Sequence, residues 1–363
     1  LTCLKEMNFP HSIGLLYSAF TYFLGFKVNS GEYKLMGLAP YGESDAAETA
    51  RFKKIIAEKL CTGYDDGSVF LNQQYFNYTT GLTMVKEDQW KNLFGIAKRK
   101  ETDKISSSHC NLAYAIQSFT EEIVIKLAYE AKKITGSENL CMAGGVALNC
   151  VANGKLLEAG IFKNIYIQPA AGDAGAAIGA ALAAHHIFYE NDKPFDPADM
   201  QSTYFGPSFS NDAIEKVLKE YHATFTCYEE NELYDKIAAY IDEGNIAGWF
   251  NGRMEFGPRA LGNRSILADP RKPGMQQKLN LKIKFRESFR PFAPAVKIES
   301  AQEYFKMNTA SPYMLFVHHV NDFIETGNQY GLNTEEKLAD IKSSLPAITH
   351  VDGTARVQTV SSE

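Results

Sequence analysis

NLCMAGGVALNCVANGKLLEAGIFKNIYIQPAAGDAGAAIGAALAA, residues 139–184, is the stretch from which the fold class follows. A short apolar run meets Gly144-Gly145 and then a helix start. The plan repeats as IFKNIYIQPA followed by a Gly/Ala-rich helix opening around Asp173. Paired glycines after a strand let the backbone approach a ligand closely, and the helix N-terminus that follows presents unpaired amides. One such turn alone is also an ordinary tight connection. Two strand–glycine–helix units in tandem make the stronger statement and predict an α/β arrangement. Asp173, at the second helix start, suits a hard cation as a carboxylate ligand; it also suits a helix N-cap.

Upstream, residues 11–26 are apolar and aromatic over a helical length, and Gly25 marks the stop. GEYKLMGLAPYG, residues 31–42, has three glycines, Pro40 and a lone Lys34, and is expected to form a fixed surface loop. Residues 45–60 pattern as an exposed amphipathic helix, and 61–101 offer only packing aromatics such as Tyr75, Phe76 and Tyr78. Ser106–Ser108 then supply N-caps for a long helix over 110–135, whose Leu112, Ala115, Ile116, Phe119, Ile123 and Leu127 recur at helical spacing. Downstream, residues 190–210 carry prolines, acids and serine, the composition of a linker. Two amphipathic helices near 212–222 and 231–243 and the strand NIAGWF follow, predicting a second α/β domain.

That strand opens a basic island. WFNGRMEFGPRALGNRSILADPRKPGMQQKLNLKIKFRESFRPFAP spans residues 249–294, and between Arg253 and Arg290 it holds ten Lys or Arg against Glu255, Asp269 and Glu287. The local balance is +7 in a chain of formal net charge -6. Binding of long polyanions usually needs a broad basic face and a high pI, so the island reads as a pocket for a small, highly charged anion. Gly257-Pro258 and Gly262 punctuate an ordered turn from which Arg259 and Arg264 project, and guanidiniums on a rigid loop form bidentate pairs with phosphate or carboxylate. Further on, Lys284, Arg286 and Arg290 alternate with Phe285, Phe289 and Phe292. Positions 282, 284 and 286 have the period of a strand, so Lys282, Lys284 and Arg286 are expected on one face of one.

With 363 residues, 45% hydrophobic and 22% charged, the chain has room for two domains with ordinary globular cores. No run approaches the roughly 18 apolar residues of a membrane span, and residues from Leu1 onward show no secretory-signal pattern. A cytoplasmic location with no membrane partner is therefore the expectation. The six cysteines contain no C-x-x-C pair, which argues against a zinc ribbon or disulfide framework and predicts buried thiols.

FGPRALGNRSILADPR followed by KIKFRESFRPFAPAV, together with GEYKLMGLAPYG, resembles the signature of the O-carbamoyltransferases that act on nodulation factors, cephalosporins and tobramycin. The resemblance covers nearly all of the chain but only the middle and later part of the family's pattern. It implies the second lobe of a sugar-kinase/actin-like (RNase H-like) fold over residues 1–190, a linker at 191–210, and a YrdC-like α/β domain over 211–363. Gly144, Gly145 and Asn149 would lie by a nucleotide, and Asp173 would be a ligand of a divalent metal, iron or another transition metal. The family's H-x-x-x-H motif is missing among the eight histidines, and ITHVDGTARVQTV (348–360) is not followed by the expected Asn-Thr-Ser segment. The chain is accordingly expected to be a fragment, inactive alone and prone to self-association.

Implied too is a reaction. Carbamoyl phosphate and ATP, with its Mg, give carbamoyl adenylate, from which the carbamoyl group passes to a hydroxyl of a small molecule or sugar. Preorganised cations stabilise such phosphoryl charge. Arg259, Lys284, Arg290 and Arg356 are the candidates for catalysis, and Lys34, Arg264 and Arg286 for contacting the cofactor. Alternatives are a tRNA threonylcarbamoyl-transferase-like protein, a sugar kinase, which would leave the basic island unexplained, and a non-catalytic nucleotide- or nucleic-acid-binding module. The island's residues favour small-molecule substrates over nucleic acid.

Overall fold

The computed structural model describes residues 2–191, 202–325 and 330–361. Ser12 starts the first helix, α1 (Ile13–Phe23), its hydroxyl accepting from the Leu15 amide. Leu16, Phe20 and Phe23 face inward and are fully buried. Gly25, at φ +74°, ends the turn where a Cβ would meet the Arg99 carbonyl at 2.4 Å, so only glycine allows this close crossing.

The segment 31–42, expected as a loop, is instead helix α2 (Glu32–Leu38) closed by a 3-10 turn (Ala39–Tyr41). Two forces make it helical. Leu35 and Leu38, three apart, bury against the core, and the Glu32 carboxylate accepts from the Asn29 and Gly31 amides and the Ser18 hydroxyl. Pro40 falls at the start of the 3-10 turn, where its missing N–H costs nothing.

Helix α3 (Ala47–Ile55) leads through one wide turn to a hairpin of β1 (Cys61–Gly63) and β2 (Val69–Leu71). Helix α4 (Glu87–Phe94) then delivers Trp90 and Phe94 into an aromatic cluster with Phe20, Phe23, Phe52 and Phe76. Ring centroids there lie 4.7–6.0 Å apart, and the Trp90 indole N–H donates to the Tyr75 carbonyl. Such ring pairs add about 0.5–1.5 kcal/mol each beyond burial. Helix α5 (Ser107–Thr135), about 44 Å long at 1.5 Å per residue, is the spine on which this core rests. Leu112, Ala115, Ile116 and Ile123 are buried as their spacing predicts, with Phe119 and Leu127 at the margin.

Strands β3 (Asn139–Met142) and β4 (Asn164–Ile167) pair in parallel, joined across α6 (Cys150–Glu158). Helix α7 (Asp173–Ala183) follows β4. Both predicted strand–glycine–helix units are therefore present, side by side.

In the second half, α8 (Asn211–Glu220) and α9 (Glu230–Asp242) bury no residue fully. Strands β5 (Ala247–Phe250) and β6 (Arg264–Leu267) form an antiparallel pair around the first arginine loop. The described end of the expected linker is pinned to that loop: Phe256 and Gly206 donate backbone bonds to Thr203 and Met254, and the Arg253 side chain donates to the Gly206 carbonyl.

Lys282, Lys284 and Arg286 do not share a strand. Helix α10 (Met275–Lys278) continues through a wide helical turn to Ile283. Met275 and Leu279, one helical turn apart, bury against Ala347, and the buried Asn280 amide donates to the Ser288 and Arg290 carbonyls. Helical burial thus overrides the two-residue alternation of lysines. Phe285, at φ +47°, ends the turn and is exposed, while Phe289 is buried.

The remaining elements are β7 (Ala295–Lys297), α11 (Ala301–Tyr304), β8 (His318–His319), α12 (Thr334–Ala339), β9 (Thr354–Ala355) and β10 (Gln358–Val360). β7 pairs with β10 in parallel and β8 with β9 antiparallel. Of the cysteines, 61, 110 and 150 are buried thiols, whereas 3, 141 and 227 are exposed. Among the described residues no helix is long and apolar enough to cross a membrane.

Candidate functional site

Helix α2 lies against the FRESFRPF segment. A Cβ at Gly37 would lie 3.6 Å from the Pro291 ring, Tyr41 donates to the Phe289 carbonyl, and Lys34 Nζ pairs with Glu287 at 2.9 Å. Between the two, and bordered by the turn before β9, is a partly enclosed cavity of about 100 Å³ lined by Tyr33, Arg286, Arg290, His350 and Arg356 among others. It adjoins an open cleft of about 740 Å³, which shares Tyr33, Arg286 and Arg290 and adds Lys34 and Lys284.

Arg286 and Arg290 are positioned chiefly by neutral groups. Arg286 donates from Nε to Asn280 Oδ1 at 2.6 Å and stacks 4.7 Å from the Phe292 ring centre. Arg290 lies 4.7 Å from the Tyr33 ring centre, and its only carboxylate contact among the described residues is a long one of 3.7 Å to Glu287. Arg356 has no hydrogen bond or ion pair among the described residues. Burial, then repulsion from Arg290 and Arg356, lowers the Arg286 pKa to about 10. Burial works against the Glu287 charge, yet the Lys34 ammonium and Arg290 hold its carboxyl below the usual range. Two carboxylates, Glu101 and Glu287, against Lys34, Lys284, Arg286 and Arg290 leave the lining of the cleft net positive.

Arg259 stands behind this cavity. Glu255 builds its loop: one carboxylate oxygen accepts from the Leu261, Asn263 and Arg264 amides at 2.8–3.3 Å. Gly257 and Gly262 take φ of +126° and +121° at its two corners. Arg259 Nη2 donates to the Leu148 carbonyl at 3.1 Å, while Nε and Nη1 are buried without a partner among the described residues. Burial, reinforced by Arg356, lowers its pKa to about 10. Buried guanidinium donors without acceptors are costly, and an anion beside Arg259 and Arg356 would relieve that cost.

The carboxyl ends of β3 and β4 form a second edge, where α/β proteins commonly bind ligands. The Gly144 amide donates to the Ala171 carbonyl at 2.7 Å, which sets the two loops side by side. Gly144 and Gly145 face open space. Asp173 sits exposed in the first turn of α7, whose N-cap is Gly172 rather than Asp173 itself. Asn149 is buried and committed inward: its Oδ1 caps the Ala152 amide and its amide exchanges bonds with Gln117. Among the described residues no group of three His, Cys, Asp or Glu could hold a metal, so Asp173 offers one carboxylate and the residues present do not themselves build a metal site.

The structure thus gathers Arg286, Arg290 and Arg356 in one cavity, with Lys34 and Lys284 at its open side and Arg259 behind it. Arg264 is exposed at the start of β6, 3.9 Å from Glu255, and lines neither space. Tyr33 and His350 were not singled out from the sequence. Their signals were present: Tyr33 is adjacent to Lys34, and His350 opens H-V-D-G-T, whose Asp-Gly pair marks a tight turn.

Two family models match the chain: the carbamoyltransferase N-terminus over residues 1–182 and the carbamoyltransferase C-terminus over residues 238–363. An uncharacterised protein of Synechocystis sp. is 51% identical over 99% of this chain and 58% of its own length. Nodulation protein NolO of Bradyrhizobium diazoefficiens is 37% identical over 98% of the chain and 59% of its own length. Nodulation protein NolNO of Sinorhizobium fredii is 37% identical over 98% and 47%. The chain therefore spans about half the length of these relatives.

Proposed function

Because the chain belongs to the carbamoyltransferase family, we propose that the arginine cavity binds carbamoyl phosphate and, with ATP, forms carbamoyl adenylate for transfer to a hydroxyl of a small molecule. The observation that carries this reading is the convergence of Arg286, Arg290 and Arg356 on one cavity, while Glu287 of the adjoining cleft is already engaged by Lys34.

In this reaction water first converts carbamoyl phosphate to carbamate and phosphate. A carbamate oxygen attacks the α-phosphorus of ATP, the bond to the bridging oxygen of the β-phosphate breaks, and pyrophosphate leaves. An acceptor hydroxyl then attacks the carbamoyl carbon, loses its proton, and AMP departs. Arg286, Arg290 and Arg356 offset the charge on phosphoryl oxygens where water is largely displaced and electrostatic stabilisation is strong. Lys34 and Lys284 flank the open cleft, which is wide enough for a nucleotide's charged tail. Asp173 and Gly144-Gly145 would serve the transfer half, the carboxylate as one metal ligand and the glycines as a close approach to the adenylate.

Calorimetric titration of carbamoyl phosphate into the chain tests the cavity. Saturable binding is expected, together with carbamoyl phosphate-dependent exchange of pyrophosphate into ATP. Binding that persists unchanged in both Arg290→Lys and Arg356→Lys would place the site elsewhere.

A further inference from the structure

His350 lines the arginine cavity beside Arg356, yet its Nε2 is buried without a hydrogen-bond partner among the described residues. Its other nitrogen is committed. Nδ1 lies 2.9 Å from Thr354 Oγ1, and that hydroxyl lies 2.7 Å from Asp352 Oδ1. A carboxylate only accepts, and a threonine hydroxyl has one hydrogen. The hydrogen between Thr354 and Asp352 therefore belongs to Thr354, and the Thr354 oxygen must accept from an Nδ1–H of His350. The tautomer is set: in the neutral ring Nε2 carries a lone pair.

The turn that holds this chain of bonds is closed at both ends, His350 N donating to the Thr354 carbonyl at 2.8 Å and Gly353 N to the His350 carbonyl at 2.9 Å. Burial lowers the His350 pKa, and the Arg356 charge works in the same direction against the opposing Asp352, so the neutral ring prevails near pH 7. Nε2 is thus a neutral acceptor beside guanidiniums, which only donate. It requires a donor.

We propose that His350 Nε2 accepts a hydrogen bond from the amino group of the carbamoyl moiety, and so makes the cavity selective for carbamoyl phosphate over acyl phosphates of the same shape. The inference rests on the anion-site reading above and deepens it. Acetyl phosphate is the discriminating probe because a methyl group replaces the amino group. Its methyl would leave Nε2 buried and unpaired, and sites built to pair a polar group reject analogues that lack it.

Three anions are titrated into the chain by calorimetry: carbamoyl phosphate, acetyl phosphate and inorganic phosphate. The wild type should prefer carbamoyl over acetyl phosphate by about tenfold, the scale of one hydrogen bond. His350→Leu should lose most of that preference while holding acetyl phosphate and phosphate as before, and His350→Gln, which restores an acceptor oxygen, should regain part of it. Thermal melts of both variants show whether the fold is retained, and the glutamine variant carries the test should the leucine variant unfold. Equal affinity for carbamoyl and acetyl phosphate in the wild type, or a preference that survives in both variants, overturns the role of His350 alone. No binding of any of the three anions overturns the arginine-cavity reading and this inference with it.

Discussion

The arginine cavity and the glycine edge of β3 and β4 were equally visible as motifs, but they are built in opposite ways. In the cavity Arg286 is braced by Asn280 and Phe292 and Arg290 by Tyr33, all neutral groups. Elements distant in sequence meet there, as Lys34 and Glu287 show. At the edge, Gly144 and Gly145 face open space and α7 buries none of its residues. Enclosure is what turns a cluster of charges into a binding site, because a guanidinium–anion bond strengthens as the effective dielectric falls. The cavity should therefore respond steeply to single substitutions and the edge weakly.

Charge reversal in the cavity is the sharpest way to break that contrast. Arg356→Glu places an acid beside Arg286 and Arg259, which supplies from within the charge that an anion would bring. Carbamoyl phosphate binding should fall on the order of a hundredfold or more, since removing one partner of a buried charge pair costs about 2–5 kcal/mol. Calorimetry reads the loss, and a residual affinity within a few fold of wild type would show that Arg356 does not touch the anion.

Charge-preserving substitution comes next. Arg290→Lys keeps the cation but removes the planar fork and its stacking on Tyr33, so affinity should fall by about tenfold, one hydrogen bond's worth. Inorganic phosphate should raise the melting temperature of the wild type, because an anion that binds only the folded state stabilises it, and this rise should shrink in the variant. An undiminished rise would mean that phosphate is held by other cations.

At the edge, Gly144→Ala and Gly145→Ala make a matched pair. Neither added Cβ meets a neighbour within 4 Å, but Gly144 has a φ of +95° and Gly145 has no positive φ. Backbone strain alone should cost the first about 1–2 kcal/mol and the second a few tenths. Urea denaturation measures both. If Gly145→Ala leaves stability unchanged but weakens ATP binding, a ligand approaches the backbone there as the sequence suggested.

How much of this was legible depended on whether the cue was local. Gly25, Gly257 and Gly262 take the positive φ values their turns demand, and the two strand–glycine–helix units stand where their apolar runs place them. The readings that missed were decided by tertiary contacts. The lysines at 282 and 284 alternate like a strand, but Met275 and Leu279 bury as a helix against Ala347, a residue nearly seventy positions away in the same sequence. Residues 31–42 look like a loop by their glycines and proline, but Leu35 and Leu38 have a core to enter. His350 was announced only by the tight turn that Asp352-Gly353 mark; what its ring fails to contact shows only in the fold.

Asp173→Asn should give the smallest effect, and it bears directly on the glycine edge. The carboxylate is exposed in the first turn of α7, where a negative charge opposes the positive end of the helix dipole. Removing the charge there costs about 0.3–1 kcal/mol at low ionic strength, and less in salt. No His, Cys, Asp or Glu pair completes a metal site around it among the described residues, so the variant and the wild type should bind zinc, manganese or ferrous ion equally weakly in the chain itself. Carbamoyl phosphate affinity should be untouched as well, because Asp173 lines neither the cavity nor the cleft. Denaturation at two salt concentrations and metal titration with the two proteins in parallel give the outcome. A loss of several kcal/mol, or a metal affinity in the wild type that the variant lacks, would show that the edge is as completely built as the cavity and that the contrast between them is false.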